Sequence, residues 1–244
     1  MGEFWALNRT QDLKRKKMTR IAKNLLKIAL VSLCCVASLF AHDNPTKAQQ
    51  IKQYLSIANK AYDQQVYDKA LKYFQKAADL GSVKGYIGLG NWYSDDDNVW
   101  RDCPKALRYY QKAAGMGSAE GYFKIGIMYE FECYDNYERA VVSDYAKALQ
   151  YFKKAGDMGY AEGYYYAGAM YENGSLEGIP KDDVKAKQYF KKAANMGNAD
   201  AYYGLARLYL SGRGVEHNEK KARQYYQKAC NMGSKSACGF PEDF

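Results

Sequence analysis

Apolar and polar positions along residues 66–239 alternate in one repeated order. In KALKYFQKAADLG, starting at Lys69, Ala70, Tyr73/Phe74 and Ala77 fall at spacings of three and four, while Lys72, Gln75 and Lys76 fall on the other side. That spacing predicts a helix with one buried stripe. The phrase returns as KALRYYQKAAGMG (Lys105), KALQYFKKAGDMG (Lys147), KAKQYFKKAANMG (Lys185) and KARQYYQKACNMG (Lys221), with starts separated by 36, 42, 38 and 36 residues. A period of that length predicts an all-α solenoid of stacked antiparallel helix pairs. Gly81, Gly117, Gly159, Gly197 and Gly233 close the five copies, where a helix needs a left-handed residue to stop.

A second phrase follows each of the first four copies: GYIGLGNWY (Gly85), GYFKIGIMY (Gly121), GYYYAGAMY (Gly163) and AYYGLARLY (Ala201). It predicts the second helix of each pair. Glycines inside it, such as Gly85 and Gly90, each cost about 0.5–1 kcal/mol against alanine. Their recurrence predicts a close approach of the first helix, and Ala201 and Ala206 replace them in the fourth copy. The connectors between units vary; the second, containing Glu130–Ser143, is the longest.

Upstream, Ala48–Tyr62 carries a helical stripe and is expected to cover the first unit, with Asn44 or Thr46 as cap and Pro45 in its first turn. Residues 1–41 read as an export signal with a start at either Met1 or Met18. Lys14–Lys17, Arg20, Lys23 and Lys27 form a basic region before the apolar run Ile28–Phe40, and Ala41 is a small residue for cleavage. That run is shorter than the ~20 residues that span a bilayer. The division expected is signal peptide 1–41, linker and capping helix 42–65, solenoid of about four and a half repeats 66–239, and tail 240–244. The membrane enters only through the signal segment, and the mature chain is expected in the periplasm or outside the cell.

The formal charge of +9 changes meaning once located. Residues 1–41 hold 8 Lys/Arg and 2 Asp/Glu, leaving 28 against 25, or +3, on the remaining 203. A surface so nearly balanced argues against a nucleic-acid partner. Most aromatics recur at one phase (Tyr73, Tyr109, Tyr151, Tyr189, Tyr225; Tyr93, Tyr129, Tyr171, Tyr209) and are expected to be structural. Trp92, Trp100, Tyr160, Tyr165, Tyr166 and Tyr203 do not recur, and a recognition surface would use such variable positions. Beyond the leader stand Cys103, Cys133, Cys230 and Cys238, an even number that in an exported chain implies disulfides, with three pairings open.

The phrases KAxxYYxKAAxxG and AYYGLARLYLSGRGVxxNxxKA are similar to those of the Sel-one-like repeat (SLR) family, relatives of tetratricopeptide repeats, over about Val66–Cys238. Cys230 and Cys238, in KACNMGSKSAC, resemble the helix-to-helix pair of the exported Hcp-type cysteine-rich proteins. The matching positions of the other units hold Ala78/Tyr86, Ala114/Tyr122, Gly156/Tyr164 and Ala194/Tyr202, so one disulfide per repeat is not kept. The resemblance and the hairpin turn at Gly233 favour Cys230–Cys238. Cys103 and Cys133 then flank the two open ends of the second hairpin. Chain-entropy estimates give about 2.6 and about 3.7 kcal/mol for these two loops.

The resemblance also implies that a β-lactamase label is attached to relatives. The residues offer no support: SxxK, SDN and KTG are absent, and His42 and His217 are the only histidines. Zinc is disfavoured by the lack of CxxC, and Asp95-Asp96-Asp97 lacks the spacing of a calcium loop. No cofactor is expected. The reading is an exported scaffold that binds a protein or peptide; an envelope-assembly scaffold and a β-lactam enzyme are the alternatives. By analogy with tetratricopeptide repeats, first helices would line the binding face, offering Lys72, Arg108, Gln150, Gln188 and Gln224 at one matched outward position.

Overall fold

The computed structural model describes residue 18 and residues 45–95, 101–131, 133–135, 138–174 and 178–239. The leader other than Met18, Trp100 and the tail 240–244 lie outside the described residues. The chain divides into two units, 1–49 and 50–244. In the first, Met18 is exposed, and helix α1 (Lys47–Asp63) begins. There the Gln49 N–H donates to Thr46 Oγ1 at 3.3 Å and the Thr46 N–H to Gln49 Oε1 at 2.6 Å, a reciprocal cap. Thr46 is therefore the cap, and Pro45 precedes it rather than entering the first turn.

The second unit is an all-α solenoid of helix pairs: α2 (Tyr67–Asp79) with α3 (Val83–Ser94), α4 (Cys103–Gly115) with α5 (Ala119–Glu130), α6 (Tyr145–Asp157) with α7 (Ala161–Asn173), α8 (Asp183–Asn195) with α9 (Ala199–Ser211), and α10 (Glu219–Asn231) with the short α11 (Lys235–Cys238). Each helix packs on the next in sequence from α2 onward. Among the described residues the strands are a hairpin in the long second connector, β1 (Cys133–Asp135) against β2 (Glu138–Val141), antiparallel with a bulge after Cys133. Cys133 and Val141 turn inward onto Cys103 and Ala106 of α4, which explains why the extra residues form strands there rather than an open loop.

Caps explain why the helices start where they do. Asp102, Asp144, Asp182 and Asn218 accept the N–H of Lys105, Lys147, Lys185 and Lys221 at 2.8–2.9 Å. Ser82, Ser118 and Asn198 do the same at the second helices, each such cap being worth about 1 kcal/mol. The turns between paired helices pass through Gly81, Gly117, Gly159, Gly197 and Gly233, all at φ between 76° and 95°.

Glycines inside the second helices serve two crossings. A Cβ on Gly85 or Gly121 would lie 2.6 or 2.7 Å from the backbone nitrogen of Ala78 or Ala114, in the same pair. A Cβ on Gly90, Gly126 or Gly168 would strike the ring of Tyr110, Phe152 or Phe190, from the following pair. Those rings are buried and fill the joints between units. In α9 the two places are taken by buried Ala201, clustered with Ala194, and buried Ala206, clustered with Tyr226.

Candidate functional site

First helices and the second helices of the preceding units together build a ladder of tyrosines and lysines. Tyr93 stacks on Tyr109, Tyr129 on Tyr151 and Tyr171 on Tyr189, and Tyr209 meets Tyr225 at a tilt, with ring centroids 5.6–5.8 Å apart. Lys105, Lys147, Lys185 and Lys221 place Nζ 4.1–5.3 Å from the first ring of each pair. Lys112, Lys154, Lys192 and Lys228 cover Tyr86, Tyr122, Tyr164 and Tyr202 at 4.2–5.8 Å. Because charge sits over each ring, the lysines weld neighbouring units by cation–π contacts of about 0.5–1 kcal/mol each at such exposed sites. Lys105 and Lys221 are held more basic than usual, chiefly by the Tyr93 and Tyr209 hydroxyls. The Tyr164 hydroxyl donates to Asp157 at 2.6 Å, and its pKa is pushed up to about 12, first by that bond and then by burial.

Lys72, Arg108, Gln150, Gln188 and Gln224 are exposed, each one residue before a ladder tyrosine. Their neighbours Gln75 and Lys76 are only half-exposed, since Lys76 packs over Tyr54 and Tyr73.

The second helices present a different face. On α3, Lys84, Ile87, Gly88 and Asn91 follow i, i+3, i+4, i+7, a separate stripe from Tyr86 and Tyr93. This stripe, with α1 and α5, lines two adjoining cavities. One of about 540 Å³ is bounded by Lys52, Leu55, Ser56, Asn59, Tyr62, Phe74, Lys84, Ile87, Gly88, Asn91 and Glu120. The other, of about 590 Å³, shares Tyr62 and Asn91 and adds Ser94, Asp95, Arg101, Tyr110, Lys124, Ile127, Met128, Phe131 and Cys133. Inside it the Tyr62 hydroxyl donates to Asp95, and the Tyr110 hydroxyl donates to Asn91 Oδ1 at 2.9 Å. Burial drives the Tyr62 and Tyr110 hydroxyls far above the usual tyrosine range. None of the five outward first-helix residues lines either cavity.

The non-recurring aromatics divide. Trp92 is buried, its indole N–H donating to the Tyr67 carbonyl at 3.1 Å, so it is core. Tyr165 and Tyr203 occupy the places in α7 and α9 that Ile87 occupies in α3, and Tyr166 that of Gly88; all three are partly exposed. They continue the second-helix stripe along later units, and Tyr160 packs on Phe123 beside it. The cavity-lining Lys84, Asn91 and Lys124 were not singled out from sequence, although polar residues inside an otherwise apolar GYIGLG or GYFKIG phrase are a usable signal.

Two carboxylates end the second helices at a matched position. Glu172 is 3% exposed and pairs with Arg207 and, at 2.8 Å, with Arg213, which also reaches Asp183 at 2.9 Å. Glu130 Oε2 is buried with no hydrogen-bond partner, and burial pushes that carboxyl up to about 7.

Cys103 and Cys133 are joined with Cα atoms 6.0 Å apart, and Cys230 and Cys238 with Cα atoms 4.7 Å apart. Arg101 Nη2 donates to Cys133 Sγ at 3.4 Å. His217 is exposed and stands 3.9 Å from Glu219. Asp95, from the acidic run, is engaged by Tyr62; Asp96 and Asp97 lie outside the described residues. Among the described residues no helix is long and apolar enough to cross a membrane.

Stacked helix pairs that offer extended faces define a helical-repeat scaffold, a class that commonly serves protein interaction. The Sel1 repeat family model matches residues 62–82, 83–118, 119–160, 161–198 and 199–234, and the chain belongs to that family. A Sel1 repeat protein of Oxalobacter formigenes is similar in structure, with 25% identity, TM-score 0.65, and 83% of this chain and 80% of that one covered. Helicobacter pylori cysteine-rich protein B is 32% identical over 57% of this chain and 94% of its own, with TM-score 0.43. HcpC of Helicobacter pylori strain J99, which carries a β-lactamase name, is 32% identical over 88 residues. That match takes in 36% of this chain, and the chain spans 28% of the length of that relative.

Proposed function

We propose that this chain is an exported Sel1 repeat scaffold that binds a protein or peptide partner. The observation that carries the reading is the pair of adjoining cavities lined by successive second helices, a concave and chemically mixed surface of the kind ligands occupy. The outward residues Lys72, Arg108, Gln150, Gln188 and Gln224 form the rival contact surface on the first helices. The two disulfides fit an oxidising compartment, where they would staple the second and last hairpins. Crosslinking in cells of the exporting organism, followed by identification of the joined protein, tests the reading; recovery of no protein from either face removes it. Intact mass without reductant tests the staples, and four free thiols beyond the leader would refute them.

A β-lactam enzyme is the competing reading, favoured only by the name of one partial relative. Nitrocefin turnover above buffer by purified protein, lost on a single substitution, would establish it.

A further inference from the structure

We infer that the groove formed by α1, α3 and α5 takes an extended peptide segment of a partner protein whose side chains alternate between acidic and apolar. This deepens the protein-binding reading above and rests on it.

Charge is the first ground. Beyond residue 41 the chain is nearly balanced, 28 cations against 25 anions, yet the two cavities gather Lys52, Lys84, Arg101 and Lys124 against Asp95 and Glu120. Asp95 is already taken by the Tyr62 hydroxyl. Lys52, Lys84 and Lys124 form no ion pair with any described residue. A carboxylate entering the groove meets an excess of positive charge there, and like-charged ligands are repelled.

The floor supplies the apolar half. Ile87 and Met128 are buried beneath it, Leu55 and Ile127 are half-exposed, and Phe131 at its rim is 59% exposed. Amides supply the argument for an extended chain. A helical ligand satisfies its own backbone, whereas an extended one presents N–H and C=O groups that need partners. Asn59 offers both a donor and an acceptor, and Asn91, whose Oδ1 is held by Tyr110, retains its NH₂ to donate.

Fluorescence anisotropy with the full chain and labelled peptides of about eight residues tests this, that length being long enough in extended form to run from one cavity into the next. The probes alternate Glu and Val, Gln and Val, or Lys and Val. The Glu–Val peptide is expected to bind at least tenfold more tightly than the Lys–Val peptide, with affinity falling as salt rises. Lys84→Glu with Lys124→Glu should abolish or reverse that order; Lys72→Glu with Arg108→Glu should leave it intact. Unchanged circular dichroism and melting would show that both double variants fold. Equal binding of the three peptides, loss only in the first-helix variant, or equal binding of a single-stranded oligonucleotide of matched charge would overturn the inference. Photo-crosslinkers placed at Ile127 and at Arg108 separate the two levels. A protein joined only through position 108 overturns the groove and leaves the scaffold reading standing. One joined through position 127 with an acidic-apolar segment at the crosslink supports both. No protein at either position removes both.

Discussion

Glu130 and Glu172 stand at the same place in two successive units, at the ends of α5 and α7, yet among the described residues only Glu172 meets arginine. Glu172 is almost fully enclosed and is met by Arg207 from the next second helix and by Arg213 from the connector beyond it. In the unit before, the place of Arg207 is taken by Ala169, and Glu130 keeps a buried oxygen without a partner. The backbone frame repeats while the charge compensation does not. Burial of a carboxylate is tolerated in this fold by pairing in one unit and by holding a proton in another.

Removing the pairing should have the largest effect. Arg207→Ala with Arg213→Ala strands the enclosed Glu172 and is expected to cost about 3–5 kcal/mol at pH 8, lowering Tm by roughly 10 °C. The variant should recover part of that loss on acidification, because protonation relieves a buried carboxylate that has lost its partners. A melting temperature equal to that of the parent across pH 5–8 would show that the two sites differ in name only.

A smaller effect follows from Glu130→Gln. The folded carboxyl titrates near 7 against an ordinary 4.5, so between those values the folded chain binds more protons than the unfolded one. Stability therefore falls as pH rises through that window and stays reduced above it. The glutamine variant should match the parent at pH 4 and exceed it at pH 8 by about 1–2 kcal/mol, a figure discounted for partial exposure. Denaturant midpoints at the two pH values check it, and an equal difference at both would contradict the assignment.

The smallest change completes the missing pair. Ala169→Arg brings a guanidinium to the place that Arg207 holds for Glu172, and should flatten the pH dependence while adding about 1 kcal/mol at pH 8. The titration midpoint of the Glu130 carboxyl, followed by NMR, should move from about 7 toward the usual carboxylate range.

The repeat period and the helix stripes were legible because every unit restates them: Ala70, Phe74 and Ala77 recur as Ala222, Tyr226 and Ala229 with little change. The close approach at Gly85 and Gly121 was legible for the same reason. What did not recur was harder to see. The hairpin of β1 and β2 occurs once, and a bulge after Cys133 breaks strict alternation. The proposed groove is harder to read because its residues change chemistry from unit to unit, Lys84 becoming Glu120, Glu162 and Asp200. A pattern search rewards constancy, whereas a binding surface built on a constant frame is written in the exceptions. The outward series Lys72, Arg108, Gln150, Gln188 and Gln224 is legible through its regular spacing, and it lies on a surface separate from the two cavities.

Ala206 of α9 limits how this array can be rebuilt. At Gly90, Gly126 and Gly168 the ring of the following module sits where a methyl group would be, whereas Ala206 accommodates Tyr226 with its methyl present. Shuffled arrays should therefore accept the first three modules in any order. The fourth should fit only ahead of its native successor, since elsewhere its added carbon would wedge the joint apart.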